Sequence, residues 1–180
     1  MLRITGGDLR GRRFRAPKGS DTRPTSDMVR QALFNLLGQE LGGEHVLDVY
    51  CGSGALGLEA LSRGAATAWL VDKSRQVCEL VRQNAAELGL SARVTVVCSD
   101  AVKALRSLPA GGASLAFCDP PYALQDRSAL LDALAHAVHP GGTLVFETAE
   151  EDEGLHPPEA WEPTDTRVYG GTRLHLLRRR

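Results

Sequence analysis

Residues 45–148 alternate between short apolar runs and segments with helical periodicity, a pattern that few folds accommodate. Strands that alternate with helices form βαβ units, in which the strands lie parallel and helices cover both faces of the sheet. The alternation therefore predicts an open α/β sheet. The predicted strands are Val46–Tyr50, Ala68–Val71, Arg93–Cys98, Ser114–Cys118 and Thr143–Phe146, followed by a closing hairpin of Arg167–Tyr169 and Arg173–Leu177. The predicted helices are Leu56–Ser62, Arg75–Leu88, Ala101–Leu108 and Ser128–Val138.

The N-terminal residues form a separate pattern. Leu2-Arg3-Ile4 and Arg13-Phe14-Arg15 flank a glycine-containing stretch, which predicts a short basic hairpin. A Pro/Gly/Ser/Asp linker follows, and then a helix is predicted from Thr25 or Ser26 to about Leu37. We therefore expect two parts, which are a basic hairpin with its linker at 1–24 and an α/β domain at 25–180.

The charge of the chain is unevenly distributed. Residues 1–30 hold eight Lys or Arg and three Asp, a net charge of +5, whereas the remainder carries −6. A basic lobe on an acidic body predicts a polyanionic partner that contacts one end only. The alternative is a charged hairpin that is simply solvated. A second biased segment, 147–165, contains eight carboxylates and no Lys or Arg, and no function is assigned to it.

Several classes of protein are not favoured by this sequence. The chain opens without a basic-then-apolar signal segment, and no apolar run approaches membrane-spanning length, so we expect a cytoplasmic protein without a membrane partner. The four cysteines include no CxxC pair, so we expect no metal site. We expect a monomer.

A glycine-rich loop follows the first predicted strand of the α/β domain. Residues 51–57 read Cys-Gly-Ser-Gly-Ala-Leu-Gly, a GxGxxG match between a strand and a helix. Glycine permits a tight turn and lets a ligand approach the backbone, so Gly52, Ser53 and Gly54 are candidate cofactor contacts. Asp72 ends the next strand, where a carboxylate can accept both hydroxyls of an adenosine ribose. The glycine motif alone is shared by all nucleotide-binding Rossmann-like folds.

The acidic residues near this loop favour S-adenosyl-L-methionine over NAD or ATP. Asp48 lies inside the first strand, where a carboxylate disfavours a pyrophosphate but suits a ligand with an ammonium and a sulfonium. Asp100 and Ala101 follow the third strand, where an acceptor can meet an adenine amino group. The alternative, that these Asp residues are only caps and turns, accounts for each one singly but not for all of them in register.

Asp119-Pro120-Pro121-Tyr122 follows the fourth predicted strand. Proline has no backbone N–H, so two prolines end the strand in a rigid turn at the sheet edge where open α/β sheets bind ligands. The Asp119 carboxylate, two backbone carbonyls and the Tyr122 ring suit a flat heterocycle with an exocyclic amine. The alternative is an ordinary Pro-Pro loop.

Together these motifs resemble the class I S-adenosylmethionine-dependent methyltransferases. The blocks Arg3-Ile4 with Gly6-Gly7 and Arg10-Gly11-Arg12, then 23–30, and then 52–65, are similar to the bacterial small-subunit (16S) ribosomal RNA guanine-N2 methyltransferase family. The resemblance implies a Rossmann-like, mostly parallel seven-stranded sheet with helices on both faces and an antiparallel C-terminal hairpin. The chain departs from the family at Asp72, where a longer Glu is expected, and at Tyr50-Cys51, where Phe-Ala is more usual.

The resemblance also implies a reaction, the direct transfer of a methyl group from S-adenosylmethionine to guanine N2 in ribosomal RNA. Asp119 and Pro120 would accept N2–H hydrogen bonds while Tyr122 stacks on the base. By resemblance only, Thr25 would belong to a lid. The base must be unpaired or flipped out, in bare RNA or in an assembled or partly assembled small ribosomal subunit. The candidate phosphate contacts are Arg10, Arg12, Arg13, Arg15 and Lys18.

Three other functions share part of this pattern. An N6-adenine or other exocyclic-amine nucleic-acid methyltransferase would use the same turn, but DNA enzymes generally carry a target-recognition domain for which the 58 residues after Tyr122 leave little room. A protein glutamine-amide methyltransferase usually shows Asn-Pro-Pro-Tyr. A non-enzymatic RNA-binding module would explain the basic hairpin but leave the acid-lined glycine loop without a role.

Overall fold

The computed structural model describes residues 1–17, 24–121, 123–124, 127–152 and 155–180, with the side chains of 24–26 excluded. The helices are α1 (Pro24–Leu37), α2 (Ala55–Ser62), α3 (Arg75–Glu87), α4 (Ala101–Ser107) and α5 (Ser128–Ala137). The strands are β1 (Leu2–Arg3), β2 (Arg13–Phe14), β3 (His45–Val49), β4 (Thr67–Asp72), β5 (Val94–Cys98), β6 (Ala113–Cys118), β7 (Val138–Ala149), β8 (Trp161–Tyr169) and β9 (Thr172–Arg179).

The predicted mostly parallel, seven-stranded sheet is confirmed. Its strand order is β5-β4-β3-β6-β7-β9-β8, and β1 pairs with β2 in a separate hairpin. The strands from β5 to β7 are parallel neighbours, whereas β9 runs antiparallel between β7 and β8. From β3 the chain adds β4 and β5 on one side, and then β6 pairs with β3 on its other side. The loops after β3 and β6 therefore leave the same edge at the point where strand order reverses, which is where open α/β sheets bind ligands.

Helices cover both faces of the sheet, as predicted. On one face α1, α2 and α3 pack on the sheet together with the N-terminal hairpin, and Phe34 of α1 meets Phe117 of β6 edge to face at 5.8 Å between ring centroids. On the other face α4 and α5 pack against the sheet. Within the described residues, no helix combines the length and the apolar character that crossing a bilayer requires.

The C-terminal hairpin is longer than the sequence pattern predicts. Strand β8 begins at Trp161 rather than at Arg167, because the Trp161 side chain is buried and its Nε1–H donates to the Leu131 carbonyl at 3.0 Å. The first half of β8 is polar and contains Pro163, which an edge strand tolerates because one side of its backbone needs no ladder hydrogen bonds. This composition is also typical of a loop, so periodicity alone did not identify the strand.

The N-terminal hairpin is held against α2 by a buried carboxylate. Glu59 is fully buried, and its carboxylate accepts hydrogen bonds from the Thr5 amide at 2.8 Å and the Thr5 hydroxyl at 2.7 Å. Arg63, one turn along the helix, donates to the same group at 2.9 Å. Ile4 and Phe14 of the hairpin belong to the core of this face. The hairpin is therefore packed on the sheet domain, and the division at residue 24 stays a prediction.

Candidate active site

The loop after β3 has the backbone conformation that its glycines permit. Gly52 and Gly54 have φ values of +52° and +77°, in the left-handed region that glycine adopts without a steric cost. Tyr50, just before the loop, also has a positive φ of +61°, a strained conformation for a residue with a large side chain. The loop is held from α3 by Asn84, whose side-chain amide donates to the Ser53 carbonyl at 3.3 Å. The sequence thus builds a tight, preformed loop.

Asp48 lies beneath this loop rather than in an open cavity. Its side chain is buried, and Oδ2 accepts the Gly57 amide hydrogen at 3.0 Å. Burial raises the pKa of Asp48 to about 8, and the charges of Asp119 and Asp72 also raise it. A Cβ at Gly57 would lie 3.4 Å from the Asp48 carboxylate, so the helix start and the strand are in close contact. The position of Asp48 favours a bracing role for the loop.

A cavity of about 250 Å³ opens at the carboxyl edge of the sheet. It brings together Tyr50, Asp72, Asp100 and Ala101 with Pro121 from the turn after β6. The cavity thus collects residues from four separate parts of the chain. Asp48 is not among its lining residues.

Asp72 and Asp100, the two acidic residues that line the cavity, also accept hydrogen bonds from backbone amides. Asp72 accepts the Gly52 amide at 3.3 Å and the Ser74 amide at 2.9 Å, through different oxygens. Asp100 caps α4 by accepting the Lys103 amide at 3.1 Å. A carboxylate has about four acceptor positions, so these bonds orient the groups and leave capacity for a ligand. Two fixed carboxylates between apolar walls suit an adenosine with hydroxyl and amino donors, so the donor set fits S-adenosylmethionine.

The turn after β6 adjoins this cavity. The Asp119 amide donates to the Val49 carbonyl at 3.4 Å, which keeps the turn in register with β3. The Pro121 carbonyl accepts the Leu124 amide at 2.9 Å, and Pro121 itself lines the cavity. Desolvation raises the pKa of Asp119 to about 6. Tyr122 lies outside the described residues, so its predicted stacking role stays a prediction.

The structure adds two residues that sequence reasoning did not place in the site. Tyr50, which stands where Phe is more usual in the family, lines the cavity. Glu147 lay unassigned within the acidic segment, yet it is close enough to Asp119 for the charge of Asp119 to raise its pKa. The sequence does contain a signal for Glu147, because this carboxylate directly follows the predicted strand Thr143–Phe146 and so stands at a strand end.

The predicted RNA-contacting arginines of the N-terminal hairpin are exposed. Arg12 donates to the Glu87 carbonyl at 3.0 Å, and Arg15 forms an ion pair with the Glu87 carboxylate at 2.7 Å. Arg10 and Arg13 are exposed, and neither side chain forms an ion pair within the described part of the chain. The side chains of Lys18 and Thr25 lie outside the described residues.

Comparisons with known proteins give a consistent result. The family model described as "Conserved hypothetical protein 95" matches residues 2–178. The chain is 35% identical to Ribosomal RNA small subunit methyltransferase D of Escherichia coli K12, over 99% of this chain and 90% of the relative. The solved structure of yhhF from Escherichia coli superposes with a TM-score of 0.87 at 31% identity, covering 99% of this chain and 97% of that one. Hypothetical protein TTHA0928 of Thermus thermophilus gives a TM-score of 0.79 at 33% identity, covering 98% of each chain.

Proposed function

The chain belongs to the Conserved hypothetical protein 95 family, a family of class I methyltransferases of 16S ribosomal RNA, and we propose that it methylates the exocyclic N2 amine of a guanine in that RNA. S-adenosylmethionine is the cofactor. One observation carries the proposal. Pro121 continues the Asp119-Pro120 turn and lines the same cavity as Asp72 and Asp100. The proposed amine-binding turn and the proposed cofactor cavity therefore share a wall.

The cofactor residues act by binding and orientation. When bound, S-adenosylmethionine supplies an electrophilic methyl group. Asp72 would accept hydrogen bonds from the ribose hydroxyls, while Asp100 and the Ala101 backbone would meet the adenine. Gly52 has open space where a Cβ would stand, so the loop there can approach a ligand closely. Asp72 also accepts a hydrogen bond from the Gly52 amide, so a ligand that binds Asp72 would affect the conformation of the glycine loop.

Asp119 and Pro120 would hold the accepting amine. The N2 lone pair of guanine is delocalised into the ring, so the amine is a poor nucleophile. Hydrogen bonds from N2–H to the Asp119 carboxylate and the Pro120 carbonyl favour a tetrahedral nitrogen and stabilise the positive charge that develops there. Tyr122 would stack on the base, worth about 1–3 kcal/mol. Alignment of the nitrogen with the methyl group accounts for most of the acceleration.

The hairpin arginines would bind the phosphates around the target. Arg10, Arg12, Arg13 and Arg15 are all exposed in or next to the hairpin, and Lys18 follows them in the sequence. A single-strand or flipped target would place its base at the sheet edge while its backbone contacts the hairpin. We include the assembled or partly assembled small subunit as a substrate form.

The test begins with cofactor binding by calorimetry, followed by methyl transfer to 16S RNA, assembled small subunits, naked DNA and ribosomal protein. Mass-spectrometric mapping of the product should find N2-methylguanine in the RNA or subunit samples. The variant Asp119→Ala should lower turnover about 10²–10³-fold with little change in cofactor affinity. The control is Asp132→Ala, which removes an exposed carboxylate of α5 and should leave turnover unchanged. Methylation of adenine N6, of DNA or of protein would overturn the proposal, as would full turnover in Asp119→Ala.

A further inference from the structure

Glu147 stands beside the Asp119 turn because of the strand register. In the parallel pairing of β6 with β7, Cys118 lies opposite Phe146. The next residues along the two strands are Asp119 and Glu147. Side chains alternate between the faces of a sheet, so these two carboxylates leave its edge on the same face. Neighbouring strands lie about 4.8 Å apart, so one acceptor group stands next to the other.

The electrostatics of the pair agree with this placement. Burial raises the pKa of Glu147 to about 7, the charge of Asp119 also raises it, and a hydrogen bond from Thr172 opposes the shift. In the ranges that the structure describes, no Lys, Arg or His side chain forms an ion pair with either carboxylate. Adjacent carboxylates without a cation repel each other, and a ligand that presents two neighbouring hydrogen-bond donors relieves this repulsion.

We infer that Glu147 reads the target base by accepting the ring N1–H of guanine, while Asp119 and Pro120 accept the exocyclic N2–H. This inference rests on the proposed function and names the residue that selects the base within it. Glu147 is a specificity residue here, since the methylated atom is held by Asp119. The Thr172 side chain lies close enough to the Glu147 carboxylate to lower its pKa through a hydrogen bond.

The bases differ in the donors and acceptors on their Watson–Crick edges. Guanine presents two neighbouring donors, N1–H and N2–H, on its Watson–Crick edge. Adenine and cytosine each present an amine donor beside a ring nitrogen that is an acceptor. An ionised carboxylate only accepts, so Glu147 would face a lone pair in adenine or cytosine and a donor in guanine. Two adjacent acceptors therefore select guanine among the three bases that carry an exocyclic amine.

The test uses RNA in which the mapped target is guanine or 2-aminopurine, in whichever form the wild-type protein methylates, bare or in a reconstituted subunit. The analogue 2-aminopurine keeps the N2 amine but has a lone pair at N1. The wild type should prefer guanine in kcat/KM by about 10- to 100-fold. Glu147→Gln should lower this preference about tenfold, because its amide can turn an N–H toward the ring lone pair. The control is Glu150→Gln, an exposed residue just past β7, which should keep the wild-type preference.

The outcomes separate this inference from the proposed function. If the wild type methylates guanine N2 and Glu147→Gln keeps the full preference, the role of Glu147 is wrong while the proposed function stands. If the wild type methylates no guanine, the proposed function fails and the inference fails with it. Thermal unfolding and cofactor calorimetry check that each variant folds. Should Glu147→Gln not fold, Glu147→Asp tests the same point, since its shorter carboxylate should also lower the preference.

Discussion

The Gly57 amide donates a hydrogen bond of 3.0 Å to Oδ2 of Asp48, which joins the first turn of α2 to strand β3. A Cβ at Gly57 would stand 2.2 Å from Cδ2 of Leu70. Glycine at this position is therefore required by close packing, and its φ is not positive. The last glycine of the GxGxxG match thus brings helix and strand together, while Gly52 and Gly54 shape the loop.

Gly57→Ala should destabilise the protein. The added methyl group forces Leu70 to move in a close-packed core, which costs about 1–3 kcal/mol, while alanine regains about 1 kcal/mol of helix propensity. We expect the free energy of unfolding to fall by up to about 2 kcal/mol in denaturant titrations. Gly42→Ala is the matched control, since nothing lies within 4 Å of its added Cβ. Equal stability of the two variants would show that the Gly57 contact is not tight.

Glu59→Gln should lower the free energy of unfolding more than Gly57→Ala does, because it breaks a buried ion network. Glu59 contacts Arg63 at 2.9 Å and Arg30 at 3.3 Å, and both arginines are buried. Leaving buried cations without their partner costs about 3–5 kcal/mol. Chemical denaturation should report this loss. The exposed pair of Glu79 with Arg82 at 3.8 Å supplies the control Glu79→Gln, for which a change of about 0–1 kcal/mol is expected. A loss in Glu59→Gln no larger than in this control would contradict the interpretation.

The hairpin arginines should contribute unequally to RNA binding. Arg15 already pairs with Glu87, so part of its charge is compensated, whereas Arg10 and Arg13 have exposed side chains. The double variant Arg10→Ala/Arg13→Ala should weaken RNA affinity and reduce the salt slope, log K against log salt, by about 1–2. Arg15→Ala should have a smaller effect. Filter binding over a salt series measures both.

The control for RNA binding lies at the opposite edge of the sheet. Arg178 is exposed and pairs with Thr143 near the start of the parallel part of β7, away from the ligand-binding edge. Arg178→Ala should leave the salt slope unchanged. An equal slope reduction in Arg178→Ala and in the double hairpin variant would mean that the hairpin is not the phosphate-binding surface.

Methyl transfer should lose efficiency at acid pH. Burial raises the pKa of Asp119 to about 6, and burial together with the Asp119 charge raises that of Glu147 to about 7. A carboxyl with a raised pKa stays protonated up to that pH, and the protonated form loses acceptor capacity. The value of kcat/KM should therefore rise with pH through about 6 to 7 and then level off. Asp48, the other carboxylate that interacts with Asp119, accepts the Gly57 amide and lies beneath the loop.

The variant Glu147→Gln supplies the pH control. It removes the ionisation near pH 7, so the rise of kcat/KM with pH should be less steep and its midpoint should lie nearer to pH 6. Steady-state kinetics between pH 5 and 9 would measure the change, with cofactor affinity recorded in parallel. A profile that is flat between pH 5 and 8 in the wild type would contradict an acceptor role for either carboxylate.

Much of the sheet domain and part of the site could be predicted from local patterns. Short apolar runs located the parallel strands, because a strand covered on both faces is apolar along its length, and the 3.6-residue period located their helices. Glycine and proline have backbone limits of their own, so the loop at 51–57 and the turn at 119–122 could be placed at strand ends. Asp72, Asp100 and Pro121 do line one cavity.

Relations between distant segments could not be predicted in this way. The edge strand from Trp161 looks like a loop because its exposed side is polar, and only burial of the indole against α5 identifies it. No local pattern shows that Asp48 lies under the loop and accepts the Gly57 amide, and its predicted contact with the cofactor stays a prediction.

The sequence by itself determined which residue types stand at each strand end, since the chain order and the backbone limits of Gly and Pro are local properties. The tertiary structure alone decided which of those residues meet. Asp119 and Glu147 become neighbours because Cys118 pairs with Phe146, and nothing in either segment specifies that pairing. Strand register depends on how the whole core packs, because a slip of one residue would turn every side chain of the strand to the opposite face.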